Sequence, residues 1–185
     1  IETLRQHDVF FTFAENVGAP DCTVPTELFD WIPTRQPVVL DCFSEAAVPL
    51  VARRQVLTTV GSWVPNKEAG PLVRGVRYRG KSVEFERFIE LPSRSPIPIE
   101  LALAGASNHT DRFVAHGWTV VDAHQFSRDP WVYRNFLAHS FGEWSVHKNA
   151  YVARRSGWFS CRTACYLALG VPAIVQDTGF RGRIP

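Results

Sequence analysis

The stretch GVRYRGKS, Gly75 to Ser82, has the spacing G-x-x-x-x-G-K-S. In that pattern the backbone N–H groups of a glycine-rich loop cradle phosphates and the lysine reaches them. The chemistry needs a buried strand running straight into the first glycine, and interior residues that let several N–H groups face one anion. Here the preceding residues are KEAGPLVR, short and polar for a central strand. The interior is Val76, Arg77, Tyr78 and Arg79, whose bulky or β-branched side chains resist positive φ angles. VVLD and TVVD match only loosely the apolar run that ends in a magnesium-holding Asp. The stretch therefore reads as a polar hairpin or loop that delivers Gly80-Lys81-Ser82 to the start of a helix. There one lysine and free N–H groups can meet a phosphate. A P-loop NTP-binding protein or kinase is the competing reading.

Other reactive side chains are dispersed. Cys22, Cys42, Cys161 and Cys165 form neither a C-x-x-C pair nor a Cys/His zinc spacing. Cys161 and Cys165 lie four apart on an expected helix, where both pack as small apolar groups. His7, His109, His116, His124, His139 and His147 show no metal-ligand pairing, and each reads as structural or solvated. No metal is expected. Arg162 stands inside an otherwise apolar helical stretch and so requires a partner, either an internal carboxylate or the phosphates of a ligand.

The elements that must hold these groups follow from periodicity. HDVFFTF (His7 to Phe13) and QPVVLDCF (Gln36 to Phe43) read as strands, and VLTTVGSW (Val56 to Trp63) is β-branched and apolar until Gly61. SVEFERFIEL is helical and LP ends it. A regular beat follows. PIELALAG is a strand, HTDRFVAHG a helix stopped at Gly117, and WTVVDA a strand. SRDPWVYRNFLAHS is a helix capped by Ser127 or Asp129, GEWSVHKN a short strand, GWFSCRTACYLALG a helix ending at Gly170, and VPAIVQDTGF a strand and loop. Strands alternating with helices predict an α/β fold, a Rossmann-like parallel sheet with helices on both faces.

Composition sets outer limits. The 185 residues suffice for one well-packed domain or two small ones, and 45% hydrophobic with 21% charged residues is ordinary for a globular chain. A net charge of +2 with scattered basic residues argues against nucleic acid as a partner. No apolar run reaches the ~20 residues of a membrane span, and the opening IETLRQHD does not read as a secretory leader. With its cysteines unpaired in pattern, the chain is expected to be reduced and cytoplasmic. An initial Ile and the absence of Met lead us to expect a fragment lacking its natural start.

The C-terminal third carries a longer pattern. RSGWFSCRTACYLALGVPAIVQDTGF, with Ser156 to Phe180 as its core, resembles the donor-binding segment of bacterial family-1-type glycosyltransferases of the GT-B fold. FFTFAENVGAPDC, PTRQPVVLDCF, TTVGSW, GKSVEFERFIELP and HGWTVVDA match the same set in the same order, so the resemblance runs from about Phe11 to Phe180. It implies a transferase moving a sugar from a nucleotide-sugar donor to an unknown acceptor across a cleft between two Rossmann-like domains. Residues 1–54 would be the end of the acceptor-side domain and linker, and residues 55–185 the donor-binding domain.

In open α/β sheets ligands sit beyond the carboxyl ends of the strands. The candidates for donor binding are accordingly Gly61 and Ser62, Lys81, Glu143, Lys148, Trp158, Arg162, and the loop Asp177-Thr178-Gly179, with Glu15 and Asn16 facing the cleft from the first-domain side. For each there is a plain alternative: a turn at Gly61-Ser62, an exposed lysine, a surface ion pair for Glu143 and Lys148, a core role for Trp158, and a self-satisfied loop at 177–179. One departure stands out. The E-x7-E pair of many retaining enzymes has no counterpart, since Gly157 to Cys165 carries Glu at neither end. The general base and the stereochemical outcome therefore stay open.

Overall fold

Alternation of short apolar runs with amphipathic ones yields a doubly wound sheet. The computed structural model describes residues 2–62, 70, 72–73, 75–105 and 110–182. In chain order the elements are β1 (Phe10–Thr12), β2 (Trp31–Pro33), α1 (Leu40–Ser44), β3 (Arg54–Ser62), β4 (Leu72–Val73), β5 (Val76–Arg77), α2 (Ser82–Arg87), β6 (Ile99–Ala104), α3 (Thr110–Ala115), β7 (Thr119–Asp122), α4 (His124–Ser127), α5 (Pro130–Ala138), β8 (Ser140–Ser145), α6 (Asn149–Ala153), α7 (Cys161–Ala168) and β9 (Ala173–Val175).

Five strands form one parallel sheet in the order β7-β6-β3-β8-β9. The chain lays down β3, β6 and β7 outward in one direction, then returns to place β8 and β9 on the other side of β3. The order therefore reverses between β3 and β8, which is the topological switch point of a Rossmann-like fold. This is the α/β architecture the alternating elements predict. Side chains alternate across the sheet. Leu57, Ile99, Leu101 and Leu103 face one way, against Phe85 of α2, Phe113 of α3, and Trp118, Trp144 and Val146. Val60 and Ala102 face the other way, against Phe136, Leu137, Tyr166, Leu169 and Val171. Because both faces are covered, the central strands carry apolar residues on successive positions rather than alternate ones.

A hydroxyl chain crosses the second layer. Thr58 Oγ1 donates to Ser140 Oγ at 2.7 Å and Ser140 Oγ donates to the Phe136 carbonyl at 3.0 Å. Thr58 has then spent its proton, so the Tyr166 hydroxyl, 2.6 Å away, is the donor in that contact. Burial pushes the Tyr166 phenol well above its ordinary range.

Local signals at helix ends are realised. Of the two expected caps for α5, Asp129 serves: its Oδ1 accepts from the N–H groups of Trp131 at 2.7 Å and Val132 at 3.0 Å, with Pro130 following. The GVRYRGKS stretch is the expected hairpin. β4 and β5 pair antiparallel around Gly75, whose φ of +74° suits the turn. Leu72 and Val73 are exposed, so the buried strand that a P-loop requires does not lead into Gly75.

Two expectations need correcting. Gln36 to Phe43 is not a strand: residues 36–39 are irregular and Leu40 begins α1. Val39 and Leu40 are exposed, and only Phe43 reaches the second core layer, so no sheet edge holds the segment extended. The partner of β1 is instead β2, where Phe10, Phe29 and Trp31 cluster. Lys148 and Asn149, at the end of the GEWSVHKN stretch expected as a strand, lie beyond β8 and form the N-cap and first residue of α6. Among the described residues no helix is long and apolar enough to cross a membrane.

Leu101, fully buried in the middle of β6, tests the core assignment. Leu101→Ala is expected to cost about 2–5 kcal/mol, read as a lowered urea midpoint with an unchanged slope.

Candidate functional site

In a doubly wound sheet the ligand crevice is expected beyond the carboxyl ends of the strands at the switch point, which here falls between β3 and β8. Gly61 and Ser62 end β3, and a Cβ at Gly61 would meet nothing within 4 Å, so the strand end faces open space. Lys81 approaches from the hairpin side at the start of α2. It is half-buried, and among the described residues its ammonium has no hydrogen-bond or carboxylate partner. Burial first, then the nearby Arg162 guanidinium, lower its pKa to about 7, with Glu143 acting in the opposite direction.

His147 lies just past β8 and is 1% exposed. Its backbone N–H donates to Gln176 Oε1 at 3.3 Å, while its ring Nε2 has no partner among the described residues. Burial, followed by the charges of Lys81 and Arg162, holds its pKa down at about 3, so the ring is neutral at physiological pH.

These groups are held by a buried carboxylate that sequence reasoning passed over. Glu84 on α2 is fully buried. Its Oε1 accepts from Asn149 Nδ2 at 2.7 Å, and its Oε2 from Gln176 Nε2 at 2.6 Å and Arg87 Nη1 at 3.2 Å. The N–H groups of Asn149 and Ala150 donate to the carbonyls of Gly80 and Arg79. One carboxylate thus ties α2, the start of α6 and the loop after β9 around Lys81 and His147. In SVEFERF the residue reads as the polar side of an amphipathic helix. Only its place directly before Phe85 marks it as inward-facing.

Arg162 finds the internal partner rather than awaiting a ligand. Its Nε donates to Glu143 Oε1 at 2.6 Å, its Nη1 to the Val60 carbonyl at 2.5 Å, and its Nη2 to Ser145 Oγ. The side chains are 10% and 0% exposed. Glu143 Oε2 and Thr163 Oγ1, both buried, have no partner among the described residues. Lys148 is exposed, with its ammonium 5.7 Å from the centre of the Tyr151 ring.

The remaining candidates form a separate tie. Trp158 stacks on Tyr151 at 4.7 Å, meets Phe13 edge-on, and bridges to Ala14 through the backbone. Asn16 is buried, and its Nδ2 donates to Asp21 Oδ1 and to the Arg155 carbonyl. Glu15 pairs with Arg35 at 2.8 Å. Thr178 donates to the Trp158 carbonyl at 2.6 Å, and Asp177 accepts from the Gly179 N–H at 2.8 Å, the self-satisfied loop considered as the alternative. A Cβ at Gly157 would collide with the backbone N of Asn16, and one at Gly179 would sit 2.8 Å from the Arg155 carbonyl. The structure therefore brings Gly61, Ser62, Lys81, Glu143 and Arg162 toward the crevice, joined by the unforeseen His147, Glu84, Gln176 and Asn149. It gives Asn16, Trp158, Thr178 and Gly179 partners within the fold. Trp63 and His109 lie outside the described residues.

A second hollow lies at the same end of the sheet. A cavity of about 430 Å³ at the ends of β6 and β7 is lined by Leu103, Gly105, Thr110, Val120, Val121, Asp122 and His124. Among the described residues no group of three or more His, Cys, Asp or Glu is placed to hold a metal ion. Family models, curated proteins and solved structures offer no match to this chain.

Two outcomes are expected. Arg162→Met strands a buried carboxylate and should cost about 3–5 kcal/mol, whereas Arg162→Met with Glu143→Leu should recover most of it; equal losses in chemical denaturation would contradict the pairing. His147 has a folded pKa near 3 against the ordinary 6.5, so the unfolded chain binds more protons between those values. Its stabilisation is complete above pH 6.5 and lost as pH falls, by up to about 1.4 kcal/mol per pH unit. His147→Asn should remove that part of the acid slope.

Proposed function

We propose that the chain is the donor-binding part of a nucleotide-sugar-dependent glycosyltransferase of the GT-B kind. The observation that carries this reading is a half-buried lysine at the switch point of a parallel sheet, with no carboxylate bonded to its ammonium among the described residues. Fold alone licenses no activity, but the Ser156–Phe180 pattern and the crevice chemistry agree. In this reading the donor's diphosphate lies against Lys81, close to the open backbone of Gly61-Ser62. Charge developing on the leaving nucleoside diphosphate is stabilised there by the ammonium, with no metal required.

The cavity beyond β6 and β7 takes the nucleoside. Its centre is two strand spacings from the crevice, about 10 Å, a separation that a nucleoside joined to a diphosphate bridges. Leu103, Val120 and Val121 supply apolar walls and Asp122 a hydroxyl acceptor at the rim.

Thermal unfolding with UDP-, GDP- and ADP-sugars tests the reading. A donor that binds only the folded state raises stability by about 2.7 kcal/mol at a hundredfold excess over Kd, and Lys81→Met should abolish the rise. No shift with any nucleotide sugar would favour a non-catalytic binding module. Binding that requires magnesium as well as Lys81 would favour an NTP-binding protein.

A further inference from the structure

The run QPVVL, Gln36 to Leu40, is apolar although no sheet receives it. It lies over α7 instead. Val38 and Leu40 form one wall of a cavity of about 330 Å³, and Phe159, Ala164, Leu167 and Ala168 form the facing wall. Ala164, Leu167 and Ala168 share one side of α7 at the i, i+3, i+4 spacing, whereas Thr163 and Tyr166 of the same helix are buried. The two alanines leave open a space that longer side chains would fill in a close-packed interior. Both walls are fixed from outside the cavity. Gln36 is buried and its Nε2 donates to the Phe159 carbonyl, and the Phe159 ring meets Phe180 edge-on at 5.5 Å. At the other end of the run, Phe43 packs into the second core layer and Arg134 Nη1 donates to the Cys42 carbonyl.

We propose that this cavity binds an unbranched alkyl chain of medium length, with its polar end beside Arg35 and Gln36. These two are the polar residues of the lining, and the Gln36 bond places them at the Phe159 end. The Arg35 guanidinium is met by Glu15 at 2.8 Å, so the walls select an apolar body rather than a charge. Val39, Leu40 and Leu167 extend the apolar surface around the mouth. Volume sets the size of the occupant. At about 30 Å³ for each water-sized or methylene-sized group, the space takes about eleven of them. A helix about 10 Å across does not fit, while small-molecule sites begin at about 300 Å³ and are mostly apolar and pre-formed. None of the crevice residues takes part, so the proposal is independent of the donor reading.

Calorimetric titration of the protein with 1-alkanols of about six to about fourteen carbons measures the length of the cavity. Affinity should rise about fourfold per methylene withdrawn from water and level off near eleven carbons. Ala168→Leu fills the cavity from α7, and Val38→Phe fills it from the irregular run, where no helix or strand is disturbed. Each displaces a few methylene-sized groups and should weaken the longest well-bound alkanol by about tenfold or more, with the urea midpoint unchanged or raised. No saturable binding at any length, an affinity that keeps rising beyond the expected length, or unchanged binding in both variants would each overturn the proposal. If one variant does not fold, the other and the wild-type length series decide. A dimer in sedimentation that alkanols leave intact would give this surface to a second copy and overturn the proposal as well. Nucleotide sugars act at the crevice, so the two readings fail separately.

Discussion

A single buried ion pair organises the middle of this molecule. Arg162 projects from α7 into the sheet, where its three donor nitrogens reach Glu143, Ser145 and the Val60 carbonyl. Those acceptors belong to β8 and β3, the two strands at which the order of the sheet reverses. One guanidinium thereby fastens the second half of the sheet to the first. The pair is also the electrostatic boundary condition for its neighbours. After burial, a guanidinium that remains charged at all working pH values also lowers the pKa of both Lys81 and His147, and at Lys81 Glu143 offsets it only in part. Removing the desolvation cost of such a pair by apolar replacement is commonly neutral or better for stability. Its value here lies in setting the potential of the crevice.

A second constraint shapes the same place from the other side. Glu84 has no strand or cofactor to serve, yet it collects three donors from three segments. A carboxylate with its hydrogen bonds satisfied can be buried at tolerable cost, whereas an unsatisfied one cannot. Lys81 stands three residues before it and His147 two residues before Asn149. The mutual position of the two crevice side chains is therefore decided at Glu84.

How much of this could be read from the chain depends on the range of the forces involved. The sheet was legible because strand and helix periodicity are local, and β3, β6, β7 and the helix ends at Asp129 and Gly170 stand where pattern and capping chemistry put them. Lys81 and Arg162 were legible as charges in unusual company. What was not legible is partnership. Glu143 and Arg162 were each recognisable alone, but only the packing of α7 on β8 makes them a pair. His147 looks like any scattered histidine until the loops after β8 and β9 close over it. Gln36 to Phe43 misled for the converse reason: an apolar, β-branched run becomes a strand only where a sheet edge receives it, and none does here.

The tie around Asn16 bears on the order in which the chain must assemble. Its side-chain bond to the Arg155 carbonyl joins residues 139 apart in sequence, and the glycines at 157 and 179 leave no room for any other approach. Contacts of such separation carry the full loop-closure cost and form after the local βα units. The first fifty residues, which lie outside the five-stranded sheet, are then a latch applied to an already formed sheet. Weakening that tie is then expected to raise the unfolding rate more than it lowers the folding rate.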